Sequence, residues 1–207
     1  MSENKHDMSK VVKDLSARDD RLARVIKASP LCNIGTFVGK TSNFESLVES
    51  VVSQQLSVKA ADTIYGRLVQ ATKSQVVPKR ISNLSDTDMR ECGLSAAKTK
   101  TIRGLAEAAI SGQVDFETLH EIKDDELISA QLNSLWGIGP WTVDMFMMHQ
   151  LGRLDIWPTG DLGVRRGWER IFSLNEQIEP KYLHLEGEKF RPYRSVVAWY
   201  CWKALDS

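Results

Sequence analysis

The chain has 207 residues, and its 27 basic and 27 acidic side chains give a formal net charge of zero. A hydrophobic fraction of 42% and a charged fraction of 26% are ordinary for a globular protein that buries its core without disulfides. No apolar run approaches the roughly 20 residues of a membrane-spanning helix. Composition therefore excludes a membrane role, and the zero charge argues against a nucleic-acid binder held mainly by electrostatics.

The N-terminal segment carries charged side chains throughout and has no apolar stretch before a small-residue cleavage site, so we expect no secretory signal and an intracellular protein. The three cysteines, Cys32, Cys92 and Cys201, are widely separated and form no C-x-x-C pair. The four histidines show no metal-ligand spacing. We therefore expect buried or half-buried thiols, no metal and no cofactor.

Almost every segment has apolar residues at helical spacing, and a strand signal is confined to residues 75–77, so we predict an all-α protein. The first predicted helix covers residues 18–28 and ends before Pro30. The next helices begin at typical capping residues. Their predicted starting points are Ser42 or Asn43, Ser57, Ser85, Ser95 and the acidic run 124–126.

The helix that begins at Ser95 is predicted to turn its apolar residues inward and its cations outward. The predicted outward cations are Lys98, Lys100 and Arg103. The helix after the acidic run is predicted to end at Gly137, and Pro140 suits the first position of the helix that follows. The last two helices are predicted over residues 162–172 and 192–205.

The most specific local feature is the sequence Leu135-Trp136-Gly137-Ile138-Gly139-Pro140-Trp141-Thr142. Two glycines around one apolar residue allow a hairpin whose backbone can approach another molecule closely. Amides at the start of the following helix would favour an anion such as a DNA phosphate. The same turn chemistry is equally typical of an ordinary hairpin between two helices with a glycine cap, so both interpretations stay open.

Downstream of the hairpin, Trp157-Pro158-Thr159-Gly160-Asp161 precedes another predicted helix. An aspartate in that place is usually an N-cap, and taken alone Asp161 is structural. The combination of the hairpin with Gly160 and Asp161 changes this interpretation. Together these residues resemble the helix-hairpin-helix, Gly/Pro-Asp superfamily of DNA base-excision glycosylases, specifically its 3-methyladenine (alkylpurine) branch, over residues 44–203.

The resemblance implies two helical subdomains with a cleft between them, in a single glycosylase domain over residues 1–207. One subdomain would span about 41–150, including the hairpin at 135–142, and the other would combine about 1–40 with 151–207. The chain looks like the compact form of the branch. It is too short for the extra N-terminal β domain of a bacterial relative, and it lacks the four-cysteine iron–sulfur loop of the endonuclease III branch.

The resemblance makes Asp161 the catalytic aspartate. Its carboxylate would stabilise the oxocarbenium-like charge that develops when the glycosidic bond of a flipped-out nucleotide breaks. An N-alkylated purine is already cationic and leaves readily, so no general acid is implied. Trp141 stands where strand-cutting relatives have a lysine that forms a Schiff base, which implies a monofunctional hydrolase without lyase activity.

The resemblance also implies a base pocket formed by Trp141, Trp199 and Met145. Indole faces attract a cationic base by roughly 0.5–2 kcal/mol. Met145 replaces a tyrosine of the bacterial relative, which implies a softer and less selective pocket wall. The remaining tryptophans are interpreted as core or rim residues, namely Trp136, Trp157, Trp168 and Trp202.

Gln55 matches the position that intercalates into DNA and fills the gap left by the flipped nucleotide. Without the resemblance, Gln54 and Gln55 would be solvated residues at a helix end. The implied DNA-binding residues are Gln54, Gln55, Leu56, Lys98, Gly137, Gly139, Thr142 and Arg165. Further candidate phosphate contacts are Arg166, Arg191, Arg194 and Lys203.

We therefore predict a monomeric DNA glycosylase that removes alkylated purines, of the 3-methyladenine and 7-methylguanine type, from double-stranded DNA in base excision repair. It would be cytoplasmic and nucleoid-associated in a bacterium, and nuclear in a eukaryote. Three alternatives stay open. They are the same fold acting on another damaged base, a non-catalytic binder of damaged or abasic DNA, and a helical protein-interaction domain, which the zero net charge would suit.

Overall fold

The computed structural model describes residues 7–36 and 41–206. Regular structure in these ranges is helical and includes no strand, which confirms the predicted all-α class. The α-helices of the described ranges are α1 Met8–Arg18, α2 Asp20–Ala28, α3 Asn43–Ser53, α4 Val58–Ala71, α5 Pro78–Ser82, α6 Asp86–Glu91, α7 Ala96–Ser111, α8 Asp125–Asn133, α9 Pro140–His149, α10 Leu162–Phe172, α11 Pro180–Gly187 and α12 Arg194–Leu205. Short 3-10 turns cover Leu119–Glu121 and Glu188–Phe190. None of the described helices combines the length and apolar character that crossing a membrane would require.

The chain forms two compact units. The described part of the first unit comprises residues 7–36 and 147–206, and that of the second comprises 41–146. The boundary falls inside α9, so the chain passes from the second unit to the first within one helix.

The core of the second unit lies around α7, which contacts α3, α5 and α6. Ile102 and Leu105 of α7 are fully buried, as the apolar spacing predicted. Phe44 at the start of α3 packs edge-on against Phe116, with ring centroids 5.7 Å apart. Asn43 Nδ2 donates to the Phe116 carbonyl oxygen at 2.7 Å and so fixes the entry to α3.

The core of the first unit forms where α10 packs against α12, with α2 in contact with both helices. Trp168 of α10 is fully buried and stacks on Phe172 at a centroid distance of 4.0 Å. A methyl group on Gly167 would overlap the backbone of Cys201, so the two helices approach closely only because residue 167 has no side chain. The cysteines Cys32, Cys92 and Cys201 are all buried thiols, as predicted.

Local capping chemistry sets most helix starts, because a side-chain oxygen accepts from an amide that has no carbonyl partner within the helix. Ser85 and Asp88 form a complete capping box. The predicted starting points are confirmed for α3, α4, α6, α7 and α8 at Ser42, Ser57, Ser85, Ser95 and Asp124.

Several predicted boundaries are wrong. The helix predicted over residues 18–28 starts at Asp20, because Asp19 adopts an extended backbone and its carboxylate accepts from the Arg21 amide at 2.9 Å. The last helix starts at Arg194 instead of residue 192, since Tyr193 is still non-helical. The helix before the hairpin ends at Asn133, four residues before Gly137. Residues 75–77 form no strand and lead directly into α5.

Candidate functional site

Asp161 lies immediately before α10 and caps that helix. Its Oδ1 accepts from the Val164 amide at 2.8 Å, which confirms the N-cap interpretation. The same Oδ1 also accepts from Trp202 Nε1 at 2.9 Å. Two donors therefore fix the orientation of this carboxylate, and the positive end of the α10 dipole favours its negative charge.

Trp202 reaches Asp161 because of Gly163. A methyl group on Gly163 would lie 2.8 Å from Trp202 Cδ1 and 3.0 Å from Nε1, too close for the indole to stay in place. The ring of His149 stacks on Trp202, with ring centroids 5.9 Å apart and an interplanar angle of 25°. Sequence reasoning interpreted Trp202 as core or rim and missed its contact with Asp161.

Trp199, the predicted pocket tryptophan of α12, is half-buried one helical turn before Trp202. Its ring lies edge-on to Tyr200 at 5.0 Å, and Lys203 Nζ is 5.4 Å from its centroid. The indole that hydrogen-bonds to Asp161 is therefore that of Trp202.

Arg165 follows Asp161 in the first turn of α10, and its amide donates to the Asp161 carbonyl oxygen at 3.1 Å. Its Nε is buried and has no hydrogen-bond acceptor among the described residues. Because Nε is shielded from solvent, this atom offers no contact to another molecule, and DNA binding by Arg165 stays a prediction.

Arg191 and Arg194, both candidate phosphate contacts, belong to an internal ion-pair network around Asp155. Arg194 Nε donates to Asp155 Oδ1 at 2.8 Å, and Arg191 Nη1 donates to Asp155 Oδ2 at 2.7 Å. Arg194 is 6% exposed, so its interpretation as a phosphate contact is wrong. Its Nη2 also donates to the Asp155 carbonyl oxygen at 2.9 Å, so the start of α12 is bonded to residue 155.

The hairpin between α8 and α9 is fixed against α7. Gly137 has a positive φ of 81°, and a methyl group there would overlap the Thr101 hydroxyl. Around Gly139, in contrast, no atom lies within 4 Å of where a methyl group would stand. Space is therefore open beside the Cα atom of Gly139, which a turn that another molecule approaches closely requires.

Helix α9 carries the predicted pocket residues of the second unit. Trp141 is 48% exposed, and Met145 is half-buried. One turn after Trp141 lies Asp144, and burial raises the pKa of its carboxyl to about 6. Sequence reasoning did not single out Asp144, because desolvation by folding cannot be deduced from the residue type.

Thr142, predicted to bind DNA, has a buried side chain whose Oγ1 accepts from Gln54 Nε2 at 3.2 Å. The Thr142 side chain is therefore bonded within the protein, and DNA binding at this residue stays a prediction. Within α9 the amide of Val143 is bonded to the Gly139 carbonyl oxygen at 3.1 Å.

The loop after α3 presents the predicted intercalating residue. Gln55 is exposed and has a positive φ of 56°, a conformation that costs a residue with a side chain roughly 1–2 kcal/mol. Leu56 beside it is 40% exposed. Lys98 Nζ donates to the carbonyl oxygens of Val52 at 2.7 Å and Gln54 at 2.8 Å, so the prediction that Lys98 points outward is wrong.

Metal ligation has no candidate in residues 7–36 and 41–206, where no three His, Cys, Asp or Glu side chains group closely enough to hold an ion. The described residues offer a carboxylate held by two donors at Asp161, an exposed indole at Trp141 and open space beside Gly139.

Comparison with known proteins supports the resemblance found in the sequence. The family model described as HhH-GPD superfamily base excision DNA repair protein matches residues 48–192. DNA-3-methyladenine glycosylase 1 of Schizosaccharomyces pombe is 33% identical over 192 residues, which are 91% of this chain and 84% of that protein.

Two solved structures are similar over nearly the whole chain. A DNA-3-methyladenine glycosidase from Bacillus halodurans is 35% identical, with a TM-score of 0.84 over 97% of this chain and 89% of that one. The 3-methyladenine DNA glycosylase Mag1 of Schizosaccharomyces pombe, in complex with abasic DNA, is 32% identical, with a TM-score of 0.82 over 94% of this chain and 95% of that one. The helical architecture is thus shared by proteins of closely similar length.

Proposed function

The chain belongs to the HhH-GPD superfamily of base excision DNA repair proteins, and we propose that it hydrolyses the N-glycosidic bond of alkylated purines in double-stranded DNA. Its relatives include 3-methyladenine glycosylases, one of them bound to abasic DNA, which is what remains after a base has been removed. The observation that carries the proposal is the Asp161 carboxylate, which two donors hold at the start of α10.

In this proposal Asp161 stabilises the positive charge that develops on the sugar while the bond to the base breaks. A carboxylate that is already oriented needs no reorganisation at that moment, which is where electrostatic catalysis gains most. Because an N-alkylated purine is already cationic, it leaves with the bonding electrons and without protonation. Water then adds to C1′ and loses a proton. One carboxylate therefore suffices where ordinary glycoside hydrolysis uses two.

The aromatic residues would bind the base. The exposed face of Trp141 suits a cationic purine, and Met145 on the same helix would supply an adaptable apolar wall. Gln55 would fill the gap in the duplex, and the backbone around Gly139 would bind a phosphate. We also propose that the protein acts as a monomer.

Purified protein is expected to release 3-methyladenine and 7-methylguanine from methylated duplex DNA and to leave the strand intact until alkali is added. Chromatography of the freed bases and denaturing gels of the DNA measure the two results. Trp141 has no amine to form a Schiff base, so borohydride should trap no covalent adduct.

These assays, together with DNA-binding titrations at several salt concentrations, separate the alternatives. Release of neutral damaged bases only would favour the same fold acting on another lesion. Tight binding of abasic DNA without any base release would favour a non-catalytic binder, and an absence of salt-dependent DNA binding would favour a protein-interaction domain.

Trp202→Phe is expected to reduce base release about tenfold and more than Trp199→Phe does. The phenylalanine keeps an aromatic face but loses the hydrogen bond to Asp161, which as a charge-assisted bond contributes about 1.5–3 kcal/mol. Single-turnover rates with both variants measure the difference. A larger loss in Trp199→Phe would assign the pocket to Trp199, as the sequence alone predicts.

A further inference from the structure

We propose that Lys98 is a positioning residue, which holds the loop 53–57 in the shape that fills a gap in duplex DNA, and is not a phosphate contact. The inference rests on the proposed function, in which Gln55 replaces the flipped nucleotide. It assigns to Lys98 a role different from the one expected of a cation near DNA.

The contacts of Lys98 link two helix ends. Its ammonium donates to the Val52 and Gln54 carbonyl oxygens, where α3 ends and the partial negative charge of that helix accumulates. Lys98 itself lies in the first turn of α7, where a cation is disfavoured by the helix dipole. The favourable interactions of the Lys98 ammonium are therefore with the end of α3 and not with α7.

The surroundings of Lys98 agree with a role inside the protein. The side chain is half-buried, and burial lowers the pKa of its ammonium. Two of its three N–H donors bind carbonyl oxygens at 2.7 and 2.8 Å. A lysine that binds phosphate in solution would instead extend an exposed ammonium on a flexible stem.

A second link holds the same loop from α9. Gln54 Nε2 donates to Thr142 Oγ1 at 3.2 Å, and within the loop the Leu56 amide donates to the Ser53 carbonyl oxygen at 3.2 Å. Between these links Gln55 keeps its left-handed backbone, a conformation that persists only where the surroundings enforce it. Lys98 and Thr142 thus both hold the loop from which Gln55 extends.

The test compares Lys98→Met, which keeps the aliphatic stem and removes the donors, with Lys79→Met as the matched control. Lys79 is an exposed lysine of the same unit and lies on α5. Lys98→Met should release 3-methyladenine from duplex DNA at least about tenfold more slowly, the loss expected for charge-assisted bonds. Release from a single-stranded oligonucleotide should fall by much less, because no gap has to be filled there. Lys79→Met should match the unchanged protein on both substrates.

The salt dependence of duplex binding distinguishes positioning from phosphate contact. Loss of one phosphate contact lowers the slope of log K against log salt by ~0.9, whereas loss of a positioning residue leaves the slope unchanged. A lower slope, or equal losses on duplex and single-stranded DNA, would overturn the proposal.

Amide hydrogen exchange without DNA provides a readout that does not depend on glycosylase activity. The Leu56 amide should exchange faster in Lys98→Met than in Lys79→Met. Equal exchange rates in the two variants would refute the claim that Lys98 holds the loop. If Lys98→Met does not fold, Thr142→Val removes the other link with little change of shape and should give the same duplex-specific loss. If the unchanged protein released no base, the proposed function would fail, while the exchange result would still test how the loop is held.

Discussion

Asp161→Asn is expected to lower the single-turnover rate of 3-methyladenine release roughly 10²- to 10³-fold, the loss typical when a preorganised electrostatic group is removed from a transition state. The substitution keeps the fold, because the amide oxygen of asparagine can still accept from the Val164 amide and from Trp202 Nε1. Asparagine and aspartate are also nearly equivalent N-caps. The thermal unfolding midpoint should therefore change little.

Asp161→Ala provides the comparison that separates capping from catalysis. Alanine removes the cap and also leaves Trp202 Nε1 without its acceptor. Loss of the cap alone should cost about 1 kcal/mol of stability, so the midpoint should fall by at least about 2–4 °C. Both variants should lose base release, but only Asp161→Ala should lose stability. Full activity of Asp161→Asn would make this residue a structural cap and refute the proposed catalytic role.

The parts of the structure that the sequence predicted are those set by neighbours a few residues apart. Ser57 and Ser95 each accept from an amide three residues later, so the residue type and its place before an apolar stripe suffice to locate the helix start. Asp161 follows the same rule with Val164. Its second partner, Trp202, is 41 residues away, and no local pattern indicates it.

The candidate site depends on contacts between residues far apart in the sequence. Trp199 and Trp202 lie one turn apart on α12, and their relation to Asp161 depends on how α12 is rotated against α10. That rotation is decided by packing at Gly163 and Gly167, which local patterns do not reveal. The contacts of Lys98 are likewise not predictable from a local pattern. A lysine that bonds to the carbonyl oxygens at the end of α3 cannot be told from a solvated lysine by its residue type.

Two missed helices did carry a usable signal. Pro78 and Pro180 occupy the first turns of α5 and α11, where a proline loses no helical hydrogen bond. Both helices are short, so apolar periodicity could not develop in them, and α11 spans only 8 residues. For these two segments the position of the proline therefore predicts the helix start better than apolar periodicity does.

Gly167→Ala is expected to destabilise the protein by about 3 kcal/mol or more and to lower its unfolding midpoint by roughly 10 °C. The added methyl group would overlap the carbonyl oxygen and carbon of Cys201. These are backbone atoms of α12, so no side-chain rotation relieves the overlap and the helix has to move. Because α12 also carries Trp202, base release should fall together with stability.

Gly66→Ala is the matched control, since Gly66 is also a helical glycine but is exposed on α4. A methyl group there meets nothing within 4 Å, and alanine is favoured over glycine inside a helix by about 1 kcal/mol. The two glycine-to-alanine changes should therefore shift the unfolding midpoint in opposite directions. If Gly167→Ala were as stable as the unchanged protein, α10 and α12 could not pack as closely at Gly167 as described. The hydrogen bond between Trp202 and Asp161, which depends on that packing, would then be in doubt as well.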